Sequence, residues 1–320
     1  MADYQINQNV TGAGNFVVGV GDIHIGYRLD AEAARNRQTL DDLLDKVERF
    51  WIHSILDPLT ASRSWLELKE EAQNGLIGNP LAQTLDMEQA ADRGYQPSDR
   101  NADISDIYLG VGRTLLILGE PGAGKTIALL KLAKTLIGRA RGDPRQLEPI
   151  PVVLPLGGWN ARSQTLLDWA AGQLAELYFV SDGARLIQER RLALLLDGLD
   201  EVADDQQGRC ARAINQFNRT VGSPGMAVCS RLQDYRNLIA ADPESRLRLY
   251  GAVSIQALAD AQIDGYLEGL GAGLAPLRQA LGKNPDLRAL ARTPLMLNVM
   301  AVAFEAREDD PRSDATAIEE

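Results

Sequence analysis

Cysteine and histidine are almost absent, with two of each in 320 residues. Cys210 and Cys229 are too few for a disulfide framework and fit a chain that works in a reducing compartment. His24 and His53 stand far apart, and no Cys or His spacing suits a zinc site. Aromatic residues make up 5% of the chain, so its core must be aliphatic. The longest apolar run, PLMLNVMAVAF from Pro294 to Phe304, falls short of the ~20 residues that a membrane-spanning helix needs. The N-terminal stretch MADYQINQNV is polar and has no secretory signal pattern. There is no basic excess either. The formal net charge of -11 argues against nucleic acid or anionic membrane as a partner. These absences lead to the expectation of a cytoplasmic protein with no membrane span and no nucleic-acid partner. What remains is ordinary for a globular chain: 45% hydrophobic and 24% charged residues.

The first 30 residues carry a short repeat. GAGNFVVG, from Gly12 to Gly19, is followed by GVGDIHIG, from Gly19 to Gly26. Glycine with Asn or Asp around alternating apolar residues reads as two short strands with turns. The same segment has high β-propensity, little charge and no proline, which is also the signature of cross-β stacking. A hairpin and a cross-β stack are both compatible with it. Leu40, Leu43, Leu44, Val47, Phe50, Trp51 and Ile55 then recur at three- and four-residue steps. That spacing predicts a helix over 31–56, ended by Asp57-Pro58. Residues 59–102 show weak periodicity and read as short helices and loops.

From 103 the pattern changes. Apolar runs at 114–119, 150–156, 192–196, 225–230 and 249–258 alternate with helical stretches. This predicts a three-layer α/β/α fold with a parallel sheet covered on both faces. After 259 the pattern is helical alone, with Asp260 as the expected N-cap of the first helix. The tail 307–320 is acidic and poor in core residues. The expected organisation is a Gly-rich β-prone segment (1–30), a helical linker region (31–102), a nucleotide-binding domain (103–258), a small helical domain (259–306) and the tail.

The first apolar run leads into GEPGAGKT, Gly119 to Thr126, and then into a helical stretch. Strand, glycine-rich loop and helix in that order form a phosphate cradle. Gly119, Glu120, Pro121, Gly122, Ala123 and Gly124 form the loop, whose glycines let backbone N–H groups face phosphate oxygens. Lys125 reaches the terminal phosphates, Thr126 offers a hydroxyl to Mg²⁺, and Ile127 begins the helix beside them. The run LLLDGLDE, Leu194 to Glu201, ends a buried strand at the sheet edge where such folds bind ligands. Asp197 is the expected Mg²⁺ carboxylate. Asp200 or Glu201 would orient or deprotonate an attacking water, Glu201 being the preferred candidate; both also suit the acidic start of a helix. In VCSRLQDY, Arg231 follows another apolar strand. It would touch a γ-phosphate, or else cap the sheet edge. No guanine-reading Asn/Thr-Lys-x-Asp motif is present, which favours ATP and ADP over guanine nucleotides.

GEPGAGKT, LLLDGLDE, VCSRLQDY and TPLMLNVMA, in this order over 103–305, resemble the NACHT family of STAND-class P-loop NTPases. The resemblance implies a switch that ADP holds closed and that exchange for ATP opens, driving oligomerisation; bacterial members serve in antiviral defence. It implies slow, Mg²⁺-dependent ATP hydrolysis, and it places Pro294 near adenine. The family's winged-helix and sensor domains have no counterpart in this sequence, which reads as ending after the small helical domain. Two other readings share Lys125, Thr126 and Asp197: a ring-forming AAA+ ATPase with rapid turnover, and a scaffold whose nucleotide is structural.

Overall fold

The computed structural model describes residues 24–61, 70–77, 103–159, 165–222 and 224–308. The first GAGNFVVG repeat, and the strand or cross-β reading that rests on it, lie outside the described residues, as do most of 59–102 and the end of the tail. The chain divides into two compact units, Met1–Lys46 and Val47–Glu320.

In the first unit the described chain is helical. Helix α1 spans His24–Val47, so it begins before Ala31, and His24, Ile25 and Gly26 of GVGDIHIG are helix rather than strand. The physical reason is propagation. Once the Ala-rich turn from Ala31 is formed, each added residue gains a backbone hydrogen bond. The propensity cost of Ile or His is below about 1 kcal/mol.

The second unit opens with a wide-turn π-helix over Glu48–Leu56, followed by α2, Asp57–Ala61. Asp57-Pro58 does not end the helical path as expected. The Asp57 N–H bonds the Ile52 carbonyl five residues back, and Pro58 then falls in the first turn of a new segment, where its missing N–H costs least. Trp51 and Ile52 are buried. The Trp51 indole N–H donates to the Tyr178 hydroxyl at 2.7 Å, and that hydroxyl donates to the Val153 carbonyl at 2.8 Å. The π-helical segment is thereby tied to the sheet.

Strand β1 is Glu70–Ala72, α3 is Ile104–Gly110 and β2 is Thr114–Gly119. They are followed by α4 (Lys125–Arg141), β3 (Ile150–Pro155), α5 (Leu166–Tyr178), α6 (Gly183–Gln188) and β4 (Leu192–Asp197). Then come α7 (Asp204–Thr220), β5 (Met226–Arg231), α8 (Leu232–Ala241) and β6 (Gly251–Ile255). The sheet order is β1-β6-β2-β5-β4-β3. Five strands are parallel, and β1 pairs antiparallel with β6 at one edge. The parallel strands are almost wholly buried, as a sheet covered on both faces requires. Among the described residues, β1 is the one strand within the stretch read as helices and loops. It is three residues long, Glu-Glu-Ala, and is held by pairing to Val253, Ser254 and Ile255 rather than by any alternation of its own.

Beyond β6 the chain is helical: α9 (Asp260–Gly269), α10 (Ala275–Lys283), α11 (Pro285–Leu290) and α12 (Pro294–Glu308). Ile263, Leu267, Leu277, Leu281 and Leu297 pack in one apolar cluster. Each contributes about 2 kcal/mol of burial. Asp260 is the first helical residue, not the cap. Its carboxylate pairs with Arg288 and Arg292, both at 3.1 Å, while the Ala259 N–H is capped by Gln262 Oε1 at 2.9 Å. Two guanidiniums outcompete a lone backbone N–H for that carboxylate. Among the described residues, no helix is long and apolar enough to cross a membrane.

Candidate functional site

Strand order explains where the motifs meet. β5 lies between β2 and β4, with Gly119 opposite Arg231 and Leu196 opposite Val228. The loop after β2 and the end of β4 therefore face one another across the end of β5, at the carboxyl edge where open parallel sheets bind ligands.

The loop is shaped for close backbone approach. Gly122 and Gly124 have φ of 74° and 98°, values that side chains disfavour. At Gly122 a Cβ would also lie 3.1 Å from Leu295 Cβ. Gly124 is the N-cap of α4, yet no side chain caps this helix and no acid stands in its first turn. The contrast with α5 is direct, since Thr165 and Asp168 close a full capping box there. The 17-residue α4 leaves its positive end open to the cleft, as an anion site requires. Lys125 Nζ donates to the carbonyls of Gly119 and Glu120 at 3.1 and 3.2 Å. The lysine is folded back over its own loop.

The Thr126 hydroxyl donates to Asp197 Oδ2 at 2.8 Å. Burial raises the Asp197 pKa, opposed by its hydrogen bond from Thr126. A cation beside it would offset the cost of that buried charge. Thr126 and Asp197 are adjacent hard oxygen donors, the chemistry that Mg²⁺ takes with phosphate oxygens and water completing its shell. Among the described residues there is no cluster of three or more His, Cys, Asp or Glu that would hold a metal alone. The donor set therefore fits Mg²⁺ brought with phosphates, not a self-contained metal centre.

Asp200 and Glu201 part company in the structure. The Asp200 side chain is only 4% exposed. Its Oδ1 accepts the Arg231 backbone N–H at 2.9 Å, and its Oδ2 pairs with Arg231 Nε at 2.9 Å. Both oxygens are committed to fixing one arginine at the end of β5. Glu201 instead lies against Gly198 and Gly157. Gly198 has φ 79°, and a Cβ there would meet the Glu201 Cδ at 2.7 Å. The glycine of DGLDE thus makes room for the glutamate as well as for the turn. Burial raises the Glu201 pKa, with Asp197 and Asp200 adding to it, so this carboxylate holds a proton more readily than an ordinary glutamate. Arg231 is half exposed and lies 3.9 Å from Asp234.

These groups line one cleft of about 600 Å³, a size that takes a nucleotide-scale ligand. Pro121, Gly122, Gly124, Lys125, Thr126 and Ile127, with Asp197, Gly198, Asp200, Glu201 and Arg231, line it from the edge of the sheet. Leu59, Tyr266, Pro294, Leu295 and Asn298 line it from helices α2, α9 and α12. Gly119, Glu120 and Ala123 belong to the same loop but are not among the lining residues. The loop and α12 are joined by a backbone hydrogen bond of 3.4 Å from the Leu295 N–H to the Gly122 carbonyl. Leu59, Tyr266, Leu295 and Asn298 were not legible as site residues. Tyr266, Leu295 and Asn298 sit in stretches that read as helix and Leu59 in one of weak periodicity, and only tertiary packing brings them to the loop.

No protein-family model matches the sequence, and no curated protein matches it. Among solved structures the chain is similar to Cdc6p from Pyrobaculum aerophilum, at 18% identity and a TM-score of 0.35, over 57% of this chain and 52% of that one. It is similar to the closed state of Hsp104 with ATPγS and FITC-casein, at 19% identity and a TM-score of 0.38, over 69% and 41%. It is also similar to ORC1 from Aeropyrum pernix in complex with DNA, at 14% identity and a TM-score of 0.39, over 75% and 65%. The chain thus covers less than two thirds of the length of each of these three proteins. These likenesses are distant, and the class rests on the geometry above: a parallel α/β/α sheet with a glycine-rich loop between its first parallel strand and an uncapped helix. That is a P-loop NTPase fold.

Proposed function

We propose that the cleft binds ATP and ADP with Mg²⁺ and that the chain is a nucleotide-dependent signalling switch of the NACHT/STAND class. Gly122, Gly124 and Lys125 take the phosphates. Thr126 and Asp197 would hold Mg²⁺, whose chemistry there would be to neutralise phosphate charge. Glu201 receives the proton of the attacking water. The water oxygen bonds to the γ-phosphorus as the bond to the β–γ bridging oxygen breaks, giving ADP and phosphate. Asp200 positions Arg231, and Arg231 reports whether a γ-phosphate is present. Pro294 and Leu295 wall the adenine end.

One observation carries the switch reading: the hydrogen bond from the Leu295 N–H to the Gly122 carbonyl, with Pro294 and Leu295 lining the same cleft as Thr126. A nucleotide there touches both the phosphate loop and the helices after β6. Its exchange is thereby linked to how those helices seat. The resemblance of the motifs extends this to self-association on activation, with a role in bacterial defence.

Calorimetric titration of nucleotide-stripped protein with Mg²⁺-ADP and Mg²⁺-ATP tests the proposal. The switch reading expects tight ADP binding and turnover slower than about one per minute, against the median of about 10 s⁻¹ for enzymes. Rapid turnover with weakly held ADP would favour the AAA+ motor reading. No binding of either nucleotide would remove the site.

A further inference from the structure

The cleft lies at the carboxyl edge of the sheet. At the opposite edge stands a group of arginines that the proposed nucleotide chemistry does not use. The segment Arg246-Leu247-Arg248-Leu249-Tyr250 leads into β6. Its burial alternates. Leu247 and Leu249 are fully buried, Arg246 and Tyr250 are exposed, and Arg248 is half-buried. An extended chain puts alternate residues on one face, so Arg246, Arg248 and Tyr250 form one outward row.

Buried side chains hold that row in place. Asn215 on α7, only 6% exposed, donates to the Arg246 carbonyl at 2.9 Å and accepts the Arg248 N–H at 2.8 Å. The Leu247 N–H donates to the buried Tyr235 hydroxyl at 2.9 Å, and the Tyr250 N–H donates to the Thr114 hydroxyl at 2.9 Å. Helix α7 extends the patch. Arg219 is exposed one turn beyond Asn215. Arg190 lies against the turn after α7, where a Cβ on Gly222 would stand 3.9 Å from its guanidinium. Among the described residues, no carboxylate pairs with Arg190, Arg219, Arg246 or Arg248. Of the two acids in the loop before β6, Asp242 is taken by Arg212, which leaves Glu244. The end of a helix favours a cation such as Arg219, but Arg246 and Arg248 lie outside any helix.

The residue types select the partner. All four cations are arginines, whose planar fork suits phosphate oxygens. Beside them is an aromatic ring. Gly112 backs Tyr250, since a Cβ there would lie 3.7 Å from the ring, and the tyrosine stays 43% exposed. A base stacks on such a ring only when it is unpaired. We infer that this edge binds single-stranded nucleic acid, with the arginines on its phosphodiesters and Tyr250 against a base. The net charge of -11 that argues against such a partner is a sum over the whole chain. A strand in contact responds to charges within about 10 Å at 0.1 M salt. The inference does not depend on what the cleft binds.

The test is fluorescence anisotropy of a short labelled oligo(dT) with the full chain, repeated over a salt series. The expected dissociation constant is about 10⁻⁵ M, and four phosphate contacts give a log–log salt slope of about -3. The double variant Arg246→Ala/Arg248→Ala should bring the slope to about half. Tyr250→Ala should weaken binding about tenfold at an unchanged slope, and Tyr250→Phe should restore it. Lys283→Ala, on α10, should leave both quantities within about twofold. The inference is overturned if the wild-type chain does not bind, if the double variant binds as the wild type does, or if Lys283→Ala costs as much. It is also overturned if polyglutamate displaces the oligonucleotide as well as unlabelled oligo(dT) does, because the patch would then fit an acidic protein. Duplex DNA bound as tightly, with Tyr250→Ala silent, would overturn the single-strand assignment. A thermal melt shows that each variant is folded, and unchanged Mg²⁺-ADP affinity shows that the cleft is untouched. Loss of oligonucleotide binding with ADP binding intact therefore counts against this inference alone.

Discussion

From the edge of the sheet the cleft is lined by two short runs of sequence, Pro121 to Ile127 without Ala123 and Asp197 to Glu201 without Leu199, together with Arg231. Its other lining residues, Leu59, Tyr266, Pro294, Leu295 and Asn298, come from three separate helices. The difference follows from what each end must do. Phosphates are recognised by backbone N–H groups in fixed directions, and only a particular run of glycines, a lysine and a helix start will present them. A base is held by apolar walls and a few polar atoms, which any packed helices can supply. The first requirement writes itself into consecutive residues. The second is met by tertiary structure and leaves no motif.

If that contrast is right, damage at the two ends should differ in kind. Lys125→Ala should have the largest effect, weakening ADP and ATP binding roughly 100-fold or more, since truncating one partner of a buried charge pair costs about 3 kcal/mol. Its thermal midpoint without nucleotide should stay near wild type, because Lys125 Nζ bonds only two carbonyls of its own loop. Calorimetry and a melt together check this, and retained affinity would mean that the loop is not the phosphate site.

Glu201→Gln comes next. Hydrolysis should fall about 100-fold while ATP binding persists, the usual worth of a general base. A single-turnover assay reads it, and undiminished hydrolysis would give the role to another group. At the opposite end, Leu295→Ala should weaken ATP and ADP equally, by about fivefold, as befits partial loss of an apolar wall from a residue 52% exposed. Unequal losses would mean that the helical end senses the phosphates as well, which breaks the contrast.

A further effect lies outside the cleft. Glu70, on the edge strand β1, has its pKa raised to about 7 by burial, with repulsion from Asp103 adding and Lys131 opposing. A raised carboxyl pKa means that the folded protein holds a proton which the unfolded chain gives up near its ordinary value. Stability from this group is therefore full in acid and lost as pH climbs through about 7. Glu70→Gln should match wild type near pH 4 and be more stable by roughly 1–2 kcal/mol near pH 8. Parallel melts of the two proteins, with curves that stay superimposed across that range, would show that Glu70 is not held in this state.

The same contrast explains what the sequence shows and what it conceals. The five parallel strands stand out because each is an apolar run buried on both faces, and Asp197 stands out because it ends one of them. Asp200 does not declare its task. Two acids in DGLDE look interchangeable until the fold brings Arg231 from β5 to one of them and leaves the other beside Gly198. β1 is invisible because Glu-Glu-Ala has no strand pattern, and the edge of β6 creates it. The early start of α1 is hidden for the opposite reason: Ile23, His24 and Ile25 carry a strand pattern, and helix propagation carries through His24 and Ile25. Cys229 reads as one more apolar residue in a buried strand until its Sγ is found 3.9 Å from the Lys125 carbonyl oxygen.

The central claim is that both ends of this cleft grip one adenine nucleotide and release it slowly. The most direct measurement is to purify the chain without added nucleotide, denature it, and identify by chromatography what is released. Near-stoichiometric ADP, with slow ATP turnover by the native protein, is the result predicted. An empty cleft with rapid steady turnover would contradict it, because the contact between Leu295 and Gly122 would then hold nothing in place.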